Sequence, residues 1–150
     1  MSRYFEVVND NHRQTTGKIT LPKRATAKSA AYDFYSPIDV TIQPNQSYLI
    51  WTDVKACCND NEVFIINVRS SMGKQPIMLA NSQGWVDCDY FSNPDNDGNI
   101  GINLRNIGNT PYIIQRGDRI AQGMFINYFV TDDDNATTKR NGGFGSTGIM

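Results

Sequence analysis

Apolar and polar residues alternate with a period of two along most of this chain, the pattern of strands that bury one face and expose the other. Ile38-Asp-Val-Thr-Ile alternates and stops at Pro44. Gln46 to Ala56 reads as one long strand with Tyr48, Ile50, Thr52 and Val54 on one face. Glu62-Val-Phe-Ile-Ile-Asn-Val reads as a mostly buried strand. Gly98 to Asn106 alternates again, with Ile100, Ile102 and Leu104 to one side, and Ile120 to Val130 is a last long strand. Turn formers (Pro22, Pro37, Asn45, Gly84, the pair Asn93-Pro94, Gly108 and Gly117) punctuate these runs about every ten residues. Helical periodicity is nearly absent. Its one candidate, Ser71 to Asn81, is interrupted by Pro76 and predicts a short helix at most. Many short strands with regular turns predict an all-β sandwich or jelly roll without internal repeats.

A chain of 150 residues is one ordinary domain, long enough to bury ~70% of the surface its unfolded form exposes. The apolar content of 39% is modest, which leaves room for burial at an oligomer interface. A net charge of −1 lacks the basic excess of a duplex-binding domain, so no nucleic-acid partner is expected, whereas a small anionic ligand needs only a few placed cations. The first ten residues hold no apolar stretch of signal-peptide length, and no segment approaches the ~20 apolar residues of a membrane span. Cys57, Cys58 and Cys88 form neither a disulfide framework nor a zinc spacing, which fits a reducing cytoplasm. The single histidine, His12, lies in a polar run and reads as a solvated loop residue. A catalytic base in this chain is therefore expected to be a carboxylate.

The character changes after residue 130. Thr131-Asp-Asp-Asp-Asn-Ala-Thr-Thr-Lys-Arg has almost nothing to bury and reads as a flexible tether, dividing the chain into a β domain (1–130) and a tail (131–150). The tail ends in Gly142-Gly-Phe-Gly-Ser-Thr-Gly, where glycines let backbone N–H groups approach an anion and hydroxyls add donors. This is not a Walker loop.

Three segments inside the domain carry chemistry. Val68-Arg-Ser-Ser-Met-Gly follows a buried strand and offers a guanidinium beside two hydroxyls, the makings of an oxyanion clamp, although a self-capping strand end would read the same. In Gly84-Trp-Val-Asp-Cys-Asp-Tyr, Asp87 and Asp89 share one face of an extended chain; such a pair is costly unless a cation is near or both are solvated. Gly117-Asp-Arg-Ile-Ala-Gln starts with a turn in which Asp118 and Arg119 are expected to pair locally.

Ala30-Ala-Tyr-Asp-Phe-Tyr, Val68-Arg-Ser-Ser-Met-Gly, Asn81-Ser-Gln-Gly-Trp-Val-Asp-Cys-Asp-Tyr, Gly117-Asp-Arg-Ile-Ala-Gln and Gly142-Gly-Phe-Gly-Ser-Thr-Gly together resemble the five ordered motifs of the trimeric dUTPase family. The resemblance implies a jelly-roll-like β-barrel and a homotrimer with three active sites between subunits. It implies magnesium-dependent hydrolysis of dUTP to dUMP and pyrophosphate, which limits uracil in DNA and supplies dUMP for thymidylate synthesis.

By the same resemblance Asp87 orients the water that attacks the α-phosphorus. Arg69 steadies Asp87 and the phosphates, Ser70 contacts the α/β bridge, Ser71 offers its N–H, and Gln122 contacts phosphate. Asp33 matches the carboxylate that holds magnesium through water, the metal being chelated by the phosphates. Asn81 and the backbone of Gly84, Trp85, Val86 and Gly101 would read the uracil edge, a tight hairpin would exclude the thymine methyl group, and Tyr90 would pack under the deoxyribose and exclude a 2′-hydroxyl. Phe144 would stack on uracil as the tail closes over a neighbouring subunit's site, with Gly145, Ser146 and Thr147 donating to phosphates.

Two departures stand out. The family reads Tyr-x-Gly where residues 91–97 here separate Tyr90 from Gly98, which lengthens the turn. The tail reads Lys139-Arg140-Asn141-Gly142-Gly143-Phe144 where Arg-Gly-x-Gly-Gly-Phe is usual, so the γ-phosphate cation is either Arg140 or Lys139. A related dCTP deaminase would need an acid where Asn103 stands. A third reading uses the fold as a protein-binding module with residues 91–97 as contact surface.

Overall fold

The structure is a computed structural model that describes residues 2–143. Twelve strands carry the fold: β1 (Tyr4–Val7), β2 (Lys23–Arg24), β3 (Tyr32–Tyr35), β4 (Val40–Ile42), β5 (Ser47–Trp51), β6 (Val54–Cys57), β7 (Glu62–Asn67), β8 (Ile77–Leu79), β9 (Gly84–Asp87), β10 (Gly101–Asn106), β11 (Tyr112–Ile114) and β12 (Arg119–Asn127). They form four antiparallel sheets, ordered β2-β3-β12-β7-β9, β5-β10-β8, β1-β6 and β11-β4. The all-β expectation holds, although among the described residues the sheets do not close into a continuous barrel.

The spine is β12, paired with β3 on one side and β7 on the other. Phe64 of β7 is fully buried and meets Phe125 and Phe5 at centroid separations of 4.8 and 5.4 Å. A Cβ on Gly123 would stand 2.5 Å from the Phe64 ring, so this aromatic cluster requires a glycine in β12. Ile50, Ile102 and Leu104 meet it from the β5-β10-β8 sheet as one continuous core. Each such side chain contributes roughly 1.5–3 kcal/mol relative to exposure.

Two local expectations are corrected and one is met. The single strand from Gln46 to Ala56 is two, β5 and β6, broken at Thr52 and Asp53. Asp53 has φ of 57° and no exposure, and its carboxylate accepts from Gln14 N–H, Thr15 N–H, Thr15 Oγ1 and Asn99 Nδ2 at 2.6–2.9 Å. The chain turns there to supply the donors that a buried carboxylate requires. As the break at Pro76 requires, the helical run is short: Ser70–Lys74 is a 3₁₀ turn, and beyond Pro76 the residues Ile77–Leu79 become β8 because β10 offers them a ladder. Asp118 and Arg119 do not pair with each other; Asp118 accepts from Gln115 N–H at 2.8 Å while Arg119 reaches Asp33.

The last strand also ends early. Tyr128, Phe129 and Val130 lie beyond β12, with Phe129 95% exposed. No helix among the described residues is long and apolar enough to cross a membrane.

Candidate active site

The first of two clefts forms where the five-stranded sheet meets β10. β9 is an edge strand, bonded to β7 from Gly84↔Ile66 to Asp87↔Val63, so its other edge faces outward. β8 covers β10 only from Leu104 to Asn106, and the Gly101 end has no strand on that side. The expected tight hairpin is therefore open, since β9 and β10 do not pair with each other. The 3₁₀ turn Cys88–Tyr90 and residues 91–97 behind it separate the two strands. Between them lies a cleft of about 180 Å³ lined by Asn81, Gly84, Trp85, Val86, Asp87, Tyr90 and Gly101 among others. Backbone edges without a strand partner can pair with a planar polar ligand as they would with a strand.

Asp87 and Asp89 stand at the mouth, each about half exposed. The cation that such a pair needs is Arg140 of the tail. Its Nη2 donates to Asp87 at 2.5 Å, its Nε to Asp89 at 2.7 Å and its Nη1 to the Gly142 carbonyl at 3.1 Å. A Cβ on Gly143 would lie 2.5 Å from the Tyr90 ring, so the glycine lets the tail backbone lie against that side chain. The described tail thus docks on the cleft of its own chain, where the resemblance implied a neighbour's. Pairs this exposed contribute about 0–1 kcal/mol each, which makes the contact readily exchangeable. Lys139 is exposed. Tyr90 is 7% exposed, and burial pushes its phenol above the ordinary range, against the opposing effect of the amide donated by Asn96.

The second cleft, about 270 Å³ and lined by Arg69, Ser71 and Arg119 among others, shares no lining residue with the first. β7 ends at Asn67 and delivers Arg69 and Ser70 to the start of the 3₁₀ turn. Arg69 donates to Asp33 at 2.9 Å and to Ser71 Oγ at 3.3 Å, and Arg119 approaches the other Asp33 oxygen at 3.4 Å. Asp33 is 5% exposed, and two guanidinium groups face its carboxylate there. Gln122 pairs with Asp33 in register and donates to the Val68 carbonyl at 3.3 Å. Within one chain Arg69 therefore accompanies Asp33, while Asp87 has Arg140. Expectations for Phe144, Gly145, Ser146 and Thr147 lie outside the described residues.

Sequence reading missed Arg119 as the second cation on Asp33, Asp89 as a second anchor for Arg140, and Asn96 and Asn99 as partners of Tyr90. Only Asp89 carried a signal, as half of the acidic pair.

The sequence profile of the dUTPase family matches residues 17–148. The deoxyuridine 5′-triphosphate nucleotidohydrolase of Lactococcus lactis is 40% identical over 149 residues, 97% of each chain. The fowlpox virus protein of that name is 34% identical, covering 86% of this chain and 90% of its own. Among solved structures, the dUTPase from Streptococcus mutans superposes with a TM-score of 0.76 at 32% identity, covering 85% of this chain and 98% of that one. A mutant dUTPase of Staphylococcus aureus phage phi11, described with a structural Mg(II) ion, shares the fold with a TM-score of 0.71 at 18% identity, covering 92% of this chain and 98% of its own. With profile, near-full-length relatives and fold in agreement, the chain belongs to the dUTPase family.

Proposed function

We propose that this chain is a dUTP diphosphatase that hydrolyses dUTP to dUMP and pyrophosphate. The observation that carries the reading is the first cleft, where the free edge of β9 faces Gly101 and Asp87 stands at the mouth. Asn81 and the backbone of Gly84, Trp85, Val86 and Gly101 read the uracil edge, and Tyr90 packs against the sugar. Asp87, half exposed to water, takes a proton from the attacking water as its oxygen bonds to the α-phosphorus. The bond to the α/β bridging oxygen breaks, and its electrons leave with pyrophosphate. Arg140 exchanges its weak carboxylate contacts for phosphate oxygens as the tail closes, and Phe144, Gly145, Ser146 and Thr147 complete the closure.

The second cleft is the phosphate side, with Arg69, Ser70, Ser71 and Gln122 as donors. Asp33 would hold magnesium through water, and the metal would supply neutralisation of the charge on the leaving pyrophosphate. The donor set fits it: a carboxylate has about four acceptor positions and the two arginines use two of them, so Asp33 would still have acceptors for a metal-bound water. No larger protein cluster is needed for a cation held mainly by phosphates. Deamination lacks its acid, because residue 103 in β10 is Asn103.

Two clefts without a common residue are joined into one site when copies of the chain assemble, and we read the protein as a cytoplasmic homotrimer. Exposed apolar side chains support this: Phe129 and Val130 beyond β12, and Ile113 on β11, find no cover in one chain. Light scattering should give about three times 16.8 kDa. Inactive Asp87→Asn chains mixed with inactive Arg69→Ala chains should regain activity after subunit exchange, since some sites then pair an intact Asp87 with an intact Arg69. No recovery after verified exchange would place both residues in a site built by one chain. Pyrophosphate release from dUTP with magnesium tests the activity itself.

A further inference from the structure

In the segment 91–97, Ser92, Pro94 and Asp95 face outward while Asn93 and Asp97 turn inward. Asn93 and Asp97 are 5% and 6% exposed, as parts of an internal brace would be. The segment grips Tyr90 at both ends. Asn93 Nδ2 donates to the Tyr90 carbonyl at 2.8 Å, and Asn96 Nδ2 donates to the Tyr90 hydroxyl at 2.7 Å. That hydroxyl in turn donates to the Asn99 carbonyl at 2.6 Å.

Neither anchor is loose. The Asn99 side chain is bonded to Asp53, donating to its carboxylate and accepting its N–H, both at 2.9 Å. The Asn96 side-chain oxygen accepts from Asn93 Nδ2 at 2.8 Å and from Gly98 N–H at 3.0 Å. The phenol is thus engaged as donor and as acceptor, and the ring is pinned in depth and in tilt where it lines the cleft. A side chain that discriminates against one extra hydroxyl does so by steric exclusion, and exclusion fails when the excluding group can retreat.

We infer that Asn96 is a positioning residue for sugar selectivity, holding the Tyr90 ring through its hydroxyl so that a ribonucleotide is refused. The inference rests on the reading of the first cleft as a deoxynucleotide site. It assigns to the additional residues a purpose within the chain's own chemistry. The amide that pins the ring also stabilises the phenolate, so its removal should raise the Tyr90 phenol further.

The test is the ratio of kcat/KM for dUTP over UTP, with magnesium, in the native protein, in Asn96→Ala, in Tyr90→Phe and in the double variant. Asn96→Ala should lower the ratio about tenfold, on the scale of one lost hydrogen bond, mainly through the two KM values. In the Tyr90→Phe background the same change should move the ratio by less than about twofold, because its point of action is gone. Asn96→Ser serves if Asn96→Ala does not fold: its hydroxyl can accept from Gly98 N–H but is too short to reach the phenol. A carbon-13 tyrosine titration should show the Tyr90 phenol ionising at higher pH in either variant. An unchanged ratio in a folded variant, or an equal fall in both backgrounds, overturns the inference while leaving the activity in place. A native protein that does not turn over dUTP overturns the functional reading, and the inference with it.

Discussion

Asp87→Asn is expected to lower kcat for dUTP by about 10²–10⁴-fold, the usual contribution of a positioned general base. The amide keeps the shape of the carboxylate but cannot accept a proton from water at neutral pH. Asp87 is the last residue of β9 and its side chain is half exposed, so the change removes little packing. The lost pair with Arg140 is an exposed one and costs at most about 1 kcal/mol. Affinity for a non-hydrolysable dUTP analogue should therefore stay within a few-fold, and the loss should appear in turnover. Single-turnover kinetics beside equilibrium binding separate the two. Near-normal turnover would remove Asp87 from the mechanism.

Deleting residues 138–150 should leave fold and assembly intact and lower kcat/KM by about 10²–10³-fold, as loss of a group of transition-state donors does. The described tail justifies the first half. Residues 131–139 are exposed and belong to no strand, and Arg140 is held by contacts at the cleft mouth rather than in the core. Within this effect Arg140→Ala should account for roughly 2–4 kcal/mol, because a planar guanidinium can bind phosphate oxygens in pairs. Lys139→Ala should cost less than about 1 kcal/mol, as an exposed charge does. The opposite order would mean that lysine occupies the arginine's usual place in the tail. A truncated protein that unfolds would make the tail part of the domain.

Where the sequence was legible, it was through period and order. The run Glu62–Asn67 is a buried strand because its apolar residues leave it no other choice, and Ile100, Ile102 and Leu104 fall on one buried face as their alternation requires. What stayed hidden depends on partners distant in the chain. Asp53 breaks a strand that alternation alone would continue, and its donors come from Gln14, Thr15 and Asn99. Pro76 ends the helical run, but that Ile77–Leu79 then becomes a strand follows only from β10 beside it. Alternation likewise does not say that Asp33 pairs with Arg69 of one cleft while Asp87 lines another, because strand order in a sheet is not sequence order. The run from Asn93 to Asp97 has the composition of a solvated turn, and only the fold reveals that its amides close on Tyr90 and that Lys55 pairs with Asp97 at 3.1 Å.

The most direct measurement for this account is pyrophosphate release by the full chain with magnesium against dUTP, dCTP, dTTP and UTP at equal concentration. The account predicts turnover of dUTP with dUMP as the nucleotide product, and rates lower by orders of magnitude for the other three. Deamination of dCTP, or equal hydrolysis of all four nucleotides, would contradict it.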